Sequence, residues 1–203
     1  LRTFQKQFSL RVDGKAIERP QDMYMRTAIA LNLNTCQDID EELANIKETY
    51  DLLSNKLYTH ASPTYYNAGG LHPQFASCFL LGTSDSRRGI MKTSNDITAI
   101  SKWAGGIGIH VNGWRGTGAK IRKTNGVSSG IVPFLRIYEA DMIAFNQGGR
   151  RPGSAKIYLM PHHPDIMKFI DLRRNNGFEL DRARHLFYAL WIPDIFMERV
   201  NAG

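Results

Sequence analysis

Cysteine is scarce in this chain, and so is every other mark of a secreted or membrane protein. Only Cys36 and Cys78 occur among 203 residues, with no Cys-x-x-Cys pair. No apolar run approaches the roughly 20 residues that a membrane-spanning helix requires. A disulfide-stapled secreted domain and a transmembrane protein are thereby set aside, and without a signal-peptide pattern the expected compartment is the reducing cytoplasm. Neither a P-loop nor a dinucleotide fingerprint is present. Internal repeats, low-complexity runs and an obvious linker are missing as well. Acidic residues are outnumbered, 19 against 26 Lys and Arg, and the net charge of +7 suggests an anionic partner such as nucleotide phosphates or a nucleic-acid backbone. With 42% apolar residues the chain can bury a real core of one or two domains.

The pattern up to about Tyr58 is helical. Pro20 suits a first helical turn ahead of Met23, Ala28, Ile29 and Leu31, and Asp38 suits the N-cap of a helix with Leu43, Ile46, Tyr50, Leu53 and Leu57 on one stripe. Cys36 falls between the two. Phe8 to Val12, followed by Asp13-Gly14, reads as a short strand and a turn. From Ser77 onward short apolar strands alternate with amphipathic helices, the mark of parallel α/β units. The strands expected are Phe79–Leu81, Ile107–Val111, Ala155–Leu159 and His185–Trp191. The helices expected between them are Ser94–Ala104 and Ser128–Phe145, the second capped by Ser128 or Ser129 and carrying Ile131, Leu135, Tyr138, Met142 and Phe145. Pro164 and Pro193 suit the first turns of two later helices.

Chemistry concentrates where Cys78 stands between a polar, turn-rich segment and an apolar strand. Pro63, Asn67, Gly69, Gly70 and Pro73 predict an ordered loop over Ser62–Gln74, followed by a short buried strand with Ser77 and Cys78 at its leading end. A small buried apolar role is the alternative for Cys78. Gly105 to Gly108, Gly116 to Gly118 and Gln147 to Gly153 could each bring backbone close to phosphate, or could simply serve turns and packing. His60, His72, His162 and His163 lack metal-ligand spacing and read as structural or surface residues, so no metal is expected.

The words around these residues resemble a known family. Thr59-His-Ala-Ser-Pro-Thr64, Asn67-Ala-Gly69, Ser77-Cys-Phe-Leu-Leu81, Ile100-Ser-Lys-Trp-Ala-Gly-Gly-Ile-Gly108, Gly130-Ile-Val-Pro133, Asn146-Gln-Gly-Gly149 and Leu186-Phe-Tyr-Ala-Leu-Trp-Ile-Pro-Asp194 are similar, in order, to the large (alpha) subunit of ribonucleotide reductase, most closely class I ribonucleoside-diphosphate reductases. The resemblance runs from about Phe8 to Val200. It implies an α/β fold in which a mostly helical region, residues 1–58, precedes residues 59–203 as the first half of a ten-stranded α/β barrel with its allosteric specificity site.

Roles follow from the resemblance residue by residue. Cys78 is one of two thiols that become a disulfide as the ribose is reduced, Ser62 and Ser77 contact substrate, and Gly106 allows close approach. Asp85, Ser86 and Arg87 align with the segment holding base and sugar of a deoxynucleoside triphosphate or ATP effector. This chain is one residue shorter there. Lys102, Arg115 and Arg122 align with basic contacts to the effector phosphates. Gln147, Gly148, Gly149, Arg150, Arg151, Pro152 and Gly153 resemble the loop that carries effector identity to the substrate base. The partners implied are a nucleoside diphosphate substrate, a second large subunit forming a homodimer, a metal-containing small (beta) subunit that generates the radical, and a thioredoxin or glutaredoxin type reductant. The radical cysteine, the disulfide partner, the active-site glutamate, the C-terminal thiol pair and the upstream ATP-binding domain have no counterparts, so the chain reads as a piece of a longer subunit, inactive by itself.

Three further readings are open on sequence: a noncatalytic nucleotide-binding regulatory paralogue, a class II adenosylcobalamin-dependent reductase, and a basic nucleic-acid-binding module. The last is disfavoured because the aromatic residues fall in core stripes and form no basic-aromatic platform. No nucleic-acid or membrane partner is expected.

Overall fold

The computed structural model describes residues 2–103, 105–122, 124–145 and 153–203. It divides into two compact units, Leu1–Ser77 and Cys78–Gly203.

The first unit is built from helix α1 (Arg2–Gln7), an antiparallel hairpin of β1 (Arg11–Val12) and β2 (Lys15–Ala16), and helices α2 (Pro20–Asn32), α3 (Ile39–Ser54) and α4 (Ser62–Asn67). Pro20 opens α2, where its missing N–H costs nothing, and the Asp38 carboxylate accepts the Asp40 N–H to cap α3. The α3 stripe is only partly realised: Leu53 is buried, whereas Leu43 and Leu57 are exposed. The predicted loop over Ser62–Gln74 also needs correction. Pro63 lies in the first turn of α4, a place where proline starts a helix instead of breaking it. Buried Met23, Leu53 and Tyr65 form the core, with Phe4, Phe8 and Tyr24 packed against them.

Arg26 ties this unit together. Its guanidinium grips Glu18 through two hydrogen bonds, Nε to Oε1 at 2.6 Å and Nη2 to Oε2 at 3.0 Å, with both side chains largely buried. Nη1 donates to the carbonyls of Tyr65 and Ala68 at 3.1 and 2.6 Å, satisfying the open C-terminal end of α4. Gly69 follows at φ +69°, and a Cβ there would press on the Arg26 stem.

The second unit is a four-stranded parallel sheet of β3 (Cys78–Gly82), β4 (Gly106–His110), β5 (Ala155–Leu159) and β6 (Phe187–Leu190), in that spatial order. Helices α5 (Arg87–Lys102), α6 (Val132–Ala144) and α7 (Ile166–Asp171) connect successive strands, and α8 (Asp194–Ala202) follows β6. Strand order equals chain order with no reversal, the winding of an α/β barrel and not of a doubly wound sheet.

One face of the sheet is dry. Ile107, Ile109, Ala155, Ile157 and Leu159 are buried among Ile97, Leu135 and Tyr138 of α5 and α6. Ile157→Ala in the middle of this face is expected to cost about 2–5 kcal/mol, read by urea unfolding of the full-length protein; a loss below about 1 kcal/mol would mean that the sheet relaxes around the hole. Because side chains alternate along a strand and Cys78 pairs in register with Gly106, the other face carries Cys78, Leu80, Gly106, Gly108, Lys156 and Tyr158. Strand β3 was expected to be buried, yet Cys78 is exposed and Leu80 is 87% exposed, since both project from the uncovered face while Phe79 and Leu81 turn toward the helices. Helix α5 begins well before the predicted Ser94, with the Ser86 hydroxyl accepting the Gly89 N–H as N-cap. The start of α6 is Ile131-Val132-Pro133, not a serine cap; the Ser128 hydroxyl instead accepts the Gly130 N–H. Phe145, expected on the buried stripe of α6, is half exposed. Pro193 precedes α8 directly, and Pro164 stands two residues ahead of α7.

Candidate functional site

The loops after β3 and β4 leave the carboxyl ends of two neighbouring parallel strands, which is where α/β sheets hold ligands. The first supplies Asp85, Ser86 and Arg87, and the second supplies Arg115. Together they line a cavity of about 400 Å³. Arg115 donates from Nε to Asp85 Oδ2 at 2.6 Å, with both side chains about one-third exposed. Apolar walls come from Ile90 and Met91 of α5, Pro133 and Phe134 of α6, and Ile121 and Val127 between β4 and α6, with Ser128 and Ser129 beside them. The first turns of α5 and α6 both face the cavity, and neither contains an acidic residue to offset its positive end. A carboxylate and two guanidiniums beside an apolar slot suit a nucleotide: base against the apolar wall, sugar hydroxyl on Asp85, phosphates on the cations.

Other predicted effector residues stand elsewhere. Lys102 ends α5, roughly 22 Å along the helix from Arg87 at 1.5 Å per residue, with its Nζ 5.2 Å from the Trp103 ring centre. Arg122 is exposed and does not line the cavity. Gln147, Gly148, Gly149, Arg150, Arg151 and Pro152 lie outside the described residues. Gly153 is described, and a Cβ there would overlap Ser101 Oγ and Met142.

Cys78 and Gly106 occupy the amino ends of β3 and β4, side by side and on the face away from the helices. Gly106 places no side chain next to the thiol. Four strand steps, about 13 Å, separate Cys78 from Gly82 before the chain turns toward Asp85. Thiol and cavity therefore sit at opposite ends of the same strands, the thiol at the amino ends and the cavity beyond the carboxyl ends. Ser62 and Ser77 belong to the first unit. There Ser62 begins α4 and borders a 290 Å³ pocket with Phe8, Tyr24, His60 and Tyr65. Burial holds the His60 imidazole below the usual histidine range, and its Nε2 has no hydrogen-bond partner. His163 is structural: its Nδ1 accepts the Asp165 N–H at 3.1 Å, which makes Nε2 the donor to the Trp114 carbonyl at 2.8 Å.

Asp165 escaped the sequence reading. It is 3% exposed and accepts the Thr117 N–H on both oxygens, at 3.0 and 3.1 Å, and the Ile131 N–H at 3.1 Å. Burial alone would raise its carboxyl, but these hydrogen bonds, that from the Thr117 hydroxyl, and nearby Lys168 hold it below the usual carboxylate range. Only its position just before α7 hinted at a capping residue, and its partners lie 34 and 48 positions away.

Comparison with known proteins decides the family. The ribonucleotide reductase barrel domain model matches residues 76–203, and the ribonucleotide reductase all-alpha domain model matches residues 1–73. The chain belongs to the ribonucleotide reductase large-subunit family. It is 47% identical over 98% of its length to the ribonucleoside-diphosphate reductase large subunit of Plasmodium falciparum (isolate FCR-3 / Gambia), covering 24% of that protein. The figures are the same for the large chain of Schizosaccharomyces pombe. For the vaccinia virus (strain Copenhagen) large subunit they are 48% identity, with 25% of the relative covered. The chain thus spans about a quarter of the length of these reductase subunits. Its four parallel strands are those of a reductase barrel domain, wound as a half-barrel, after a helical region. Among the described residues no group of three His, Cys, Asp or Glu side chains could hold a metal ion, and no helix is long and apolar enough to cross a membrane.

Proposed function

We propose that this chain is the part of a class I ribonucleoside-diphosphate reductase large subunit that carries the specificity effector site and one redox cysteine. The observation that carries the reading is the pairing of Cys78 with Gly106 on the uncovered sheet face, with the Asp85–Arg115 cavity beyond the carboxyl ends of the same two strands. In this reading a radical formed elsewhere in the longer subunit removes the 3′ hydrogen of a ribonucleoside diphosphate. Cys78 gives a proton to the departing 2′ hydroxyl, which leaves as water. Cys78 and a second thiol then lose two electrons and two protons in all and become a disulfide, and the 3′ hydrogen returns to the sugar as the radical is restored, so that diphosphate and dithiol give deoxyribonucleoside diphosphate, disulfide and water. A thiol suits both tasks because its proton is mobile near neutral pH and two thiols release an electron pair on joining. Ser62 and Ser77 hold the substrate, and the 147–153 segment relays effector identity. A thioredoxin or glutaredoxin type reductant reopens the disulfide, a metal-containing small subunit supplies the radical, and the compartment is the cytoplasm.

The cavity takes a deoxynucleoside triphosphate or ATP. Arg115→Ala removes the guanidinium that is to hold phosphate and leaves Asp85 unpaired. Triphosphate affinity is expected to fall about tenfold to a hundredfold in an equilibrium titration of the full-length subunit, and an unchanged affinity would remove Arg115 from the site. The exposed apolar residues Met91, Ile137 and Ile143 on α5 and α6 support a homodimer through these helices.

The reaction itself is tested by radiolabelled CDP reduction with a thiol reductant, adding either the small subunit or adenosylcobalamin. Deoxycytidine diphosphate formed only with the small subunit supports the class I reading. Product with adenosylcobalamin alone assigns class II. No product, with triphosphate binding retained, assigns a regulatory paralogue.

A further inference from the structure

The wall of the effector cavity that contains Ile121, Val127, Ser128 and Ser129 is an arm between β4 and α6. Its two limbs are cross-linked. Gly118 N–H donates to the Ser128 carbonyl and Ser128 N–H to the Ala119 carbonyl, each at 2.8 Å, and Ile121 N–H donates to the Gly126 carbonyl at 3.0 Å. Lys120 and Val127 pair as an antiparallel bridge. The described parts of the two limbs are thus held to each other, and the arm joins the sheet and α6 at its feet, Thr117 and Ile131.

Both feet rest on a single carboxylate. Asp165 accepts the N–H of Thr117 and the N–H of Ile131, two donors 14 positions apart in sequence, on a side chain almost wholly buried. The fit is close: a Cβ at Gly130, which has φ +84°, would overlap the Asp165 carboxylate and the Thr117 hydroxyl, and one at Gly116 would meet Pro164. Lys168 donates to Thr117 Oγ1 at 2.9 Å and steadies the same foot. The carboxylate is in turn oriented through His163, which holds the Asp165 N–H and the Trp114 carbonyl; the Trp114 ring meets Phe134 of the cavity wall edge-on at 5.7 Å.

We propose that Asp165 is a positioning residue for the effector cavity, its carboxylate pinning both feet of the 117–131 arm and so placing the arm's side of the wall. The inference rests on the effector reading above and extends it to a residue that does not line the cavity. Asp165→Asn keeps size and burial, but with its one oxygen in the place of Oδ2 its amide NH2 stands where Oδ1 accepted the Thr117 N–H, setting two donors against each other and loosening that foot.

The test uses the full-length large subunit in wild-type, Asp165→Asn, Gly130→Ala and Ile157→Ala forms, the last as an equally buried change away from the feet. Two readouts are taken well below each protein's unfolding midpoint: dATP affinity, and the rate of tryptic cutting after Lys120 and Arg122. Asp165→Asn and Gly130→Ala are expected to weaken dATP binding about tenfold and to speed cutting by a similar factor, while Ile157→Ala changes either by less than about twofold. Wild-type affinity and cutting rate in both foot variants would overturn the proposal. So would equal changes in Ile157→Ala, which would mark a general loss of stability. Should Asp165→Asn not fold, Gly130→Ala decides alone. A wild-type protein that binds no dATP, with faster cutting in the foot variants, would defeat the effector reading and leave the pinned arm standing.

Discussion

Cys78→Ser in the full-length enzyme is expected to abolish deoxynucleotide formation, by about a thousandfold or more, while leaving the fold intact. Serine is nearly isosteric and Cys78 is exposed at the sheet edge, so the substitution opens no cavity and buries no new polar group. What it removes is chemical. A hydroxyl holds its proton far more tightly than a thiol near neutral pH, and it cannot join a second thiol to deliver two electrons. Multiple-turnover assays with a thiol reductant check the loss, and thermal unfolding checks the fold. Full turnover in the serine variant would remove Cys78 from the chemistry; a large fall in unfolding temperature would make the residue structural.

Arg26→Ala is expected to destabilise the helical unit by about 3–5 kcal/mol, enough to unfold it in a marginal background. The cause is less the lost attraction than what is left behind. Glu18, only 8% exposed, would keep a charge with no partner but the Leu10 N–H, and the Tyr65 and Ala68 carbonyls would lose their donor. Arg26→Met with Glu18→Met removes both charges together and should recover part of the loss, since a buried ion pair replaced by apolar groups of similar volume is often neutral. Urea unfolding followed by circular dichroism separates the cases. A single variant as stable as wild type would show that water reaches Glu18 freely.

Local rules read most of the architecture. Pro20 and Asp38 mark helix starts through backbone chemistry that needs no tertiary context, and the four strands of the parallel sheet lie within a residue or two of their expected bounds, whereas the strand expected from Phe8 begins only at Arg11. Errors arose where a local signal has two outcomes. Proline after a serine begins a helix as readily as it ends one, which turned α4 into a predicted loop. An apolar run such as Phe79-Leu-Leu81 does not say which face of its strand is covered, and here Leu80 lies on the uncovered one. Asp85, Ser86, Arg87 and Arg115 are named through resemblance alone, and the fold places all four around one cavity, which shows their proximity and not their role. Ile90, Met91 and Phe134 were missed because a cavity wall and a core stripe carry the same residue types. Asp165 was missed for a different reason: its partners are backbone N–H groups, which have no sequence signature.

Redox chemistry and effector binding, as proposed, occupy opposite ends of the strands of one sheet, and that separation is the central claim. It is tested most directly by titrating triphosphate into full-length wild-type, Cys78→Ser and Arg115→Ala proteins with the small subunit, following binding and CDP reduction together. The account predicts that Cys78→Ser binds triphosphate as wild type does and makes no product, whereas Arg115→Ala makes product but responds only at about tenfold higher triphosphate. Loss of both properties in both variants would contradict it.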